Sequence, residues 1–307
     1  VIDGNVQLGV LCDYKCVDVM TRSELIGNTY IDTDLTNAKY SYEFECDTPG
    51  LGVVKGTRAC EATPGIVLLW IYGRKNFRCT GTIIAKNWVL TAAHCVFPTA
   101  SVISIRVVYN KDNTYYDNDI VLDVKKIYLP EEYDNEESWK DGYDIALLEL
   151  ETHPYYIDNS VTGLSLSNLA LNYSIPRNKY ALLAAGFGRK NSMGSDDYIM
   201  DDILHVAEVP NLGFNNEYFA FDNLLTGFGA ELTGFGADLV DREDPHPGAC
   251  SGDSGGPLYI HPSCKGGHLQ LGVFSWNQKT DDNCLGATSG YASIFVHTEW
   301  ICNTTRK

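Results

Sequence analysis

Apolar and β-branched residues fall in short runs along this chain, at 66–72, 101–109, 119–130, 144–150, 180–187, 204–210, 269–276 and 291–296. Gly, Asn, Asp and Pro separate them, the punctuation of turns between strands. Apolar residues spaced at helical period are missing, apart from a last turn or two around 297–302. Many short strands with turn signals between them predict an all-β protein, a sandwich or a barrel.

Residues 1–52 read differently, with three cysteines, many Asp and Thr, and little alternation. They end in "DTPGLG" (47–52), a Pro/Gly stretch typical of a linker. We therefore expect a boundary there, with an N-terminal segment at 1–52 and the main domain at 53–307. A seven-residue unit is written twice in "LTGFGAELTGFGAD" (225–238). Two copies are too few for a solenoid, so a duplicated loop is expected.

Composition narrows the class. With 44% hydrophobic residues in 307, a substantial core can be buried. The formal net charge is −17, of which the first 52 residues carry −6, so acidity is general rather than confined to a tail. Nucleic acid and anionic membrane are disfavoured as partners, since both need a positive patch. No apolar run reaches the roughly 18 to 20 residues that span a bilayer. The chain opens at Val1 rather than Met, as expected of a processed product. Ten cysteines, at 12, 16, 46, 60, 79, 95, 250, 264, 284 and 302, lack paired CxxC spacing and predict disulfides in an oxidising, extracellular setting. Asn172-Tyr-Ser and Asn303-Thr-Thr are candidate glycosylation sites of a secreted protein.

Within "CSGDSGGPL" (250–258) the hydroxyl of Ser254 sits among three glycines. A serine becomes nucleophilic when a base takes its proton, and the base works best when a third group orients it. "LTAAHC" offers His94 after the β-rich "NWVL", and "DIALLEL" offers Asp144 at the head of an apolar strand. None of the other six histidines has a comparable setting.

In "TAAHC", "DIALL" and "GDSGGPL", in that order, the chain resembles the chymotrypsin-like (trypsin family) serine endopeptidases over roughly residues 53–302. The resemblance implies two six-stranded antiparallel β-barrels, a short C-terminal helix, and a catalytic site between the barrels. His94 would be the general base, Asp144 its orienter and Ser254 the nucleophile. The amides of Gly252 and Ser254 would form the oxyanion hole. Bridges Cys79–Cys95 and Cys250–Cys284 are implied as well. The primary pocket would have its floor at Gly248 and further lining at Ser275, Trp276, Asn277 and Ser289. A glycine floor cannot select Lys or Arg, and Asn277 and Ser289 add side chain where glycine is common, so small or medium uncharged P1 residues are expected.

Family activation proceeds by insertion of a new N-terminal ammonium beside the aspartate before the serine. Here "VVKG" (53–56) lies at the usual distance before His94, which makes Val53 the expected mature terminus and Asp253 its partner. Lys55 in place of glycine, and Gly52 before the cut, depart from the family pattern. An uncut chain would leave Asp253 without its ammonium and is expected to have a badly formed oxyanion hole. A Cys46–Cys60 bridge would hold the two pieces together after cleavage. No cofactor and no transition metal are expected; calcium could be held only in the 110–119 loop, by Asp112, Asp117 and Asp119, and the spacing is a poor match. Expected partners are protein or peptide substrates, an activating protease and protein protease inhibitors. The alternative is a protease-like binding or regulatory protein with a partly occluded pocket.

Overall fold

In a computed structural model the described residues are 57–58, 65–73, 76–85, 87–110, 119–134, 138–152, 165–166, 182–189, 203–209, 211–214, 223–226, 248–260, 269–277, 284, 288–294 and 296–306. The expected N-terminal segment, Val53, Asp112, Asp117, Asn172, the Cys46–Cys60 bridge and nearly all of the duplicated unit lie outside them.

Strands β2 (Ile66–Gly73), β3 (Phe77–Ala85), β4 (Trp88–Thr91), β5 (Val102–Asn110), β6 (Asp119–Tyr128) and β7 (Ala146–Leu150) close into an antiparallel barrel in the order β2-β3-β4-β7-β6-β5. A second sheet has nine strands. They are β1 (Thr57–Arg58), β8 (Ser165–Leu166), β9 (Leu182–Gly186), β10 (His205–Val209), β11 (Asn211–Phe214), β12 (Asn223–Thr226), β13 (Pro257–Ile260), β14 (Leu269–Asn277) and β15 (Ser289–Ser293). A continuous run of six, β10-β9-β13-β14-β15-β12, stands where the second barrel was expected. β1 and β11 extend its two ends, and β8 lies parallel to β14. No pairing closes this second set among the described residues. The chain ends in helix α1 (Thr298–Thr305), whose buried Ile301 and Cys302 pack into the barrel core. Cys302 is disulfide-bonded to a partner outside the described residues. Among the described residues no helix is long and apolar enough to cross a membrane.

The run "IVLLWIY" of β2 explains how the two units meet. Successive strand side chains point to opposite faces, so Val67, Leu69 and Ile71 enter the barrel core. Ile66 and Leu68 point outward and join Leu183, Ala185, Phe187, Leu204, Val206 and Tyr259 of the second sheet. A strand buried on both faces has no polar alternation to show, which is why the run is continuous.

Replacing Leu68, 1% exposed, by Ala should therefore destabilise the protein by about 2–5 kcal/mol, through lost burial and the cavity left between the units. Val121→Ala, at a residue 51% exposed, should stay within about 0.5 kcal/mol. Denaturant unfolding measures both, and equal midpoints would contradict this account of the interface.

Candidate active site

Strand register brings the first two groups together. Thr91, the last residue of β4, pairs with Ala146, the first of β7. His94 follows Thr91 in a 3-10 turn, Ala93–Cys95, and Asp144 precedes Ala146, so both leave the barrel at the same edge. Asp144 is fully buried and accepts three hydrogen bonds. The His94 amide donates to Oδ1 at 2.8 Å, and the His94 ring Nδ1–H donates to Oδ2 at 2.7 Å. The third comes from Ser275 Oγ on β14, 2.5 Å from Oδ2. Accepting at Nδ1–H fixes the tautomer and leaves Nε2 free to take a proton. Burial alone would lower the His94 pKa; the Asp144 charge and hydrogen bond outweigh it and leave the pKa raised. The ring stays reachable, with 34% of its side chain exposed.

Ser254 arrives from the second sheet, on the turn that precedes β13. Its carbonyl accepts from the Thr80 amide of β3 at 2.7 Å. Cys79, beside Thr80, is bridged to Cys95, and Cys95 Sγ lies 3.9 Å from His94 Nε2 and 3.8 Å from the Ser254 carbonyl oxygen. The histidine and the serine loop thus flank one disulfide. Among the described residues Ser254 Oγ forms no hydrogen bond, so its link to Nε2 is not made in this conformation; such bonds often tighten only when substrate is bound. Cys79, His94 and Cys95 also form a cluster of metal-ligand types, but both sulfurs are in the disulfide and offer no thiolate.

The turn itself is tightly specified. Gly252 and Gly255 have φ of 96° and 81°, a region that favours glycine, and a side chain on Gly255 would overlap Thr91 and Thr80. Among the described residues nothing accepts a hydrogen bond from the amides of Gly252 or Ser254. Asp253, 1% exposed, points away from the surface. Its Oδ1 accepts from the Gly188 amide and its Oδ2 from the Cys250 amide, both at 2.8 Å. A Cβ on Gly186 or Gly188 would overlap this carboxylate, so the two glycines form its cradle. Burial pushes the Asp253 carboxyl up to about 7, against the opposing pull of those two amides. It has no cationic partner among the described residues.

The expected pocket residues also converge. Asn277 pairs with Ser289, and Trp276 with Gly290, where β14 meets β15. Asn277 Nδ2 donates to the Ala249 carbonyl at 2.9 Å, crossing from β14 to the segment that holds Gly248, and lies 3.3 Å from Cys284 Sγ. Cys284 is bridged to Cys250. Ser289, 1% exposed, has a buried hydroxyl without a partner among the described residues. Ser275, expected in the pocket, instead turns its hydroxyl to Asp144. Asn303 is exposed on α1, and Asp119 opens β6. Reasoning from sequence missed this use of Ser275, and it missed Gly186 and Gly188. The pair of glycines around Phe187 was a signal for the last two.

Comparison with known proteins bears on the family. The family model described as Trypsin matches residues 55–301. A trypsin of Simulium vittatum is 30% identical over 198 residues, which is 64% of this chain and 70% of that protein. Serine protease VLSP-3 of Macrovipera lebetinus is 27% identical over 252 residues, 81% of this chain and 86% of its own. Coagulation factor XI of Bos taurus is 27% identical over 245 residues, 74% of this chain; the chain spans 33% of that longer protein.

A pH dependence follows from Asp253. Its folded pKa, about 7, lies above the ordinary 3.8, so the native state holds the proton more tightly. That contribution to stability is full below the ordinary value and is lost as pH rises through about 7. His94, also raised, adds a loss in the upper part of the same window. Unfolding free energy of the uncut chain, measured by denaturant from pH 4 to 8, should fall with pH, and Asp253→Asn should flatten the slope. An unchanged slope in that variant would show that Asp253 is not the buried acid.

Proposed function

Since the chain belongs to the trypsin family and is a serine endopeptidase, we propose that His94, Asp144 and Ser254 carry its reaction. The observation that carries this reading is the buried Asp144 carboxylate holding the His94 ring, beside the loop that bears Ser254. His94 Nε2 takes the Ser254 proton as Oγ attacks the scissile carbonyl carbon. The carbonyl oxygen becomes negative and is held by the amides of Gly252 and Ser254, a use supported by their lack of protein acceptors. Collapse expels the amine, which takes the proton from His94 and leaves an acyl-serine. Water then gives a proton to His94 as it attacks the ester carbon, and His94 returns that proton to Ser254 Oγ as the C–O bond breaks and the acid leaves. Throughout, Asp144 keeps the proton on Nδ1 and stabilises the imidazolium, without itself being protonated.

The P1 residue is small or medium and uncharged in this reading. Gly248 offers no carboxylate to a Lys or Arg side chain, and the Asn277–Ala249 bond runs between two walls of the slot. The protein is secreted, as its disulfides favour. It is made as a zymogen cut before Val53. The family match begins at residue 55, and Asp253 is a buried carboxylate with no cation among the described residues; both suit an ammonium delivered by such a cut. An activating protease and protein inhibitors are the further partners proposed.

Three measurements test this. Once cut before Val53, the protein should be labelled by a serine-directed phosphonate, and Ser254→Ala should abolish labelling; label persisting in that variant defeats the assignment. Asp144→Asn should lower kcat by about 10⁴-fold, since the base loses its tautomer. On a P1 peptide library, Asn277→Gly should raise kcat/KM for larger uncharged residues by roughly 10-fold or more, the scale of a methylene-sized change in a pocket. Preferred cleavage after Arg or Lys by the native chain would overturn the pocket assignment.

A further inference from the structure

We propose that Thr80 is a positioning residue that holds the amides of Gly252 and Ser254 in the geometry that binds the developing oxyanion. The proposal rests on the reading of Ser254 as nucleophile and adds to it a residue remote from the motifs.

Every polar group of Thr80 is engaged, and each partner belongs to a segment that builds the site. Its amide donates to the Ser254 carbonyl at 2.7 Å. Its carbonyl accepts from Thr91 Oγ1 at 2.8 Å, at the end of the strand that leads to His94. Its hydroxyl donates to the Gly252 carbonyl at 3.0 Å and accepts from the Phe187 amide at 3.2 Å, within the cradle of Asp253. A hydroxyl has one proton to give and lone pairs to receive, so both bonds are made at once. Thr80 is fully buried, and water cannot replace it there.

The consequence for the two amides comes from peptide planarity. In a trans peptide unit the C=O and the following N–H point in opposite directions, so anchoring the carbonyl aims the amide. The unit that carries the Gly252 N–H is anchored at the Ser251 carbonyl by the Arg189 amide, 2.9 Å away. The unit that carries the Ser254 N–H is anchored at the Asp253 carbonyl by the Gly256 amide, 2.8 Å away. Thr80 anchors the units between and after them, at the carbonyls of Gly252 and Ser254. Holding consecutive planes restricts rotation about the Cα atoms of Gly252 and Ser254, and with it the aim of both amides. Gly252 most needs this restraint, because a glycine at φ 96° has other conformations open to it. The Thr80 hydroxyl and an ammonium at Asp253 would act on the same turn from two sides.

The test compares Thr80→Val, which keeps the shape and loses the hydroxyl, with Thr80→Ser, which keeps the hydroxyl. Losing one oxyanion donor outright costs about 10²–10³ in kcat; misaiming it should cost less, about 10-fold, with KM changed by under about 2-fold. Affinity for a peptidyl boronic acid, whose adduct places an oxygen at the two amides, should fall by a similar factor in Thr80→Val. Thr80→Ser should restore both. In protein labelled with ¹⁵N-glycine and ¹⁵N-serine, the Gly252 and Ser254 amide resonances should move in Thr80→Val and return in Thr80→Ser. A folded Thr80→Val with native kcat, boronate affinity and resonances overturns the proposal, even if its unfolding midpoint drops. If Thr80→Val does not fold, Thr80→Gly removes the hydroxyl without placing a methyl against polar groups, and the same readouts apply. Failure of phosphonate labelling in the protein cut before Val53 would instead sink the assignment of Ser254, and the amide resonances would still decide the role of Thr80.

Discussion

A carboxylate taken out of water must collect its hydrogen bonds from the protein or lose its charge. Asp144 collects three, and their sources lie in both halves of the molecule: the His94 amide and ring from the barrel, and the Ser275 hydroxyl from the second sheet. That one ion sets the tautomer of His94, fixes the direction of its ring, and registers the two halves against each other. Thr80 and the Cys79–Cys95 bridge then carry the alignment to the loop that bears Ser254. The chemistry needs groups far apart in sequence to meet within tenths of an ångström, and buried polar contacts are what supply such precision.

The second buried carboxylate behaves differently. Asp144 is held by a ring that can carry charge, whereas among the described residues Asp253 accepts only from backbone amides. Two N–H donors are too little to offset its desolvation, so its carboxyl is driven up to about 7. The pair illustrates how environment, rather than residue type, divides the labour between acids in one protein.

Much of this was legible in the chain. All eight apolar runs became strands, because a strand that feeds a core must be apolar on at least one face. The motifs around His94, Asp144 and Ser254 were legible because the proposed chemistry demands particular residue types at strand ends. β3 was missed because "FRCTGTIIA" interrupts its pattern with threonines and a glycine. Thr80 and Thr82 are fully buried, and Gly81 is pressed against Val89 and Leu69, so polar and small residues there answer to tertiary contacts rather than to solvent. β13 begins with a proline and has four residues, too few to show a period. Ser275 and Thr80 could not be read as site residues, since a lone hydroxyl in a strand says nothing about which distant carboxylate or carbonyl it will meet.

β2 serves two cores at once, and this bears on whether the halves could exist apart. Were the barrel separated from the second sheet, Ile66 and Leu68 would lose their cover and lie in water as part of an apolar stripe with Val108. Surfaces of that kind are normally found pressed against something. A severed barrel would be driven to self-association, so the protein is best regarded as a single indivisible folding unit rather than as two modules that happen to touch.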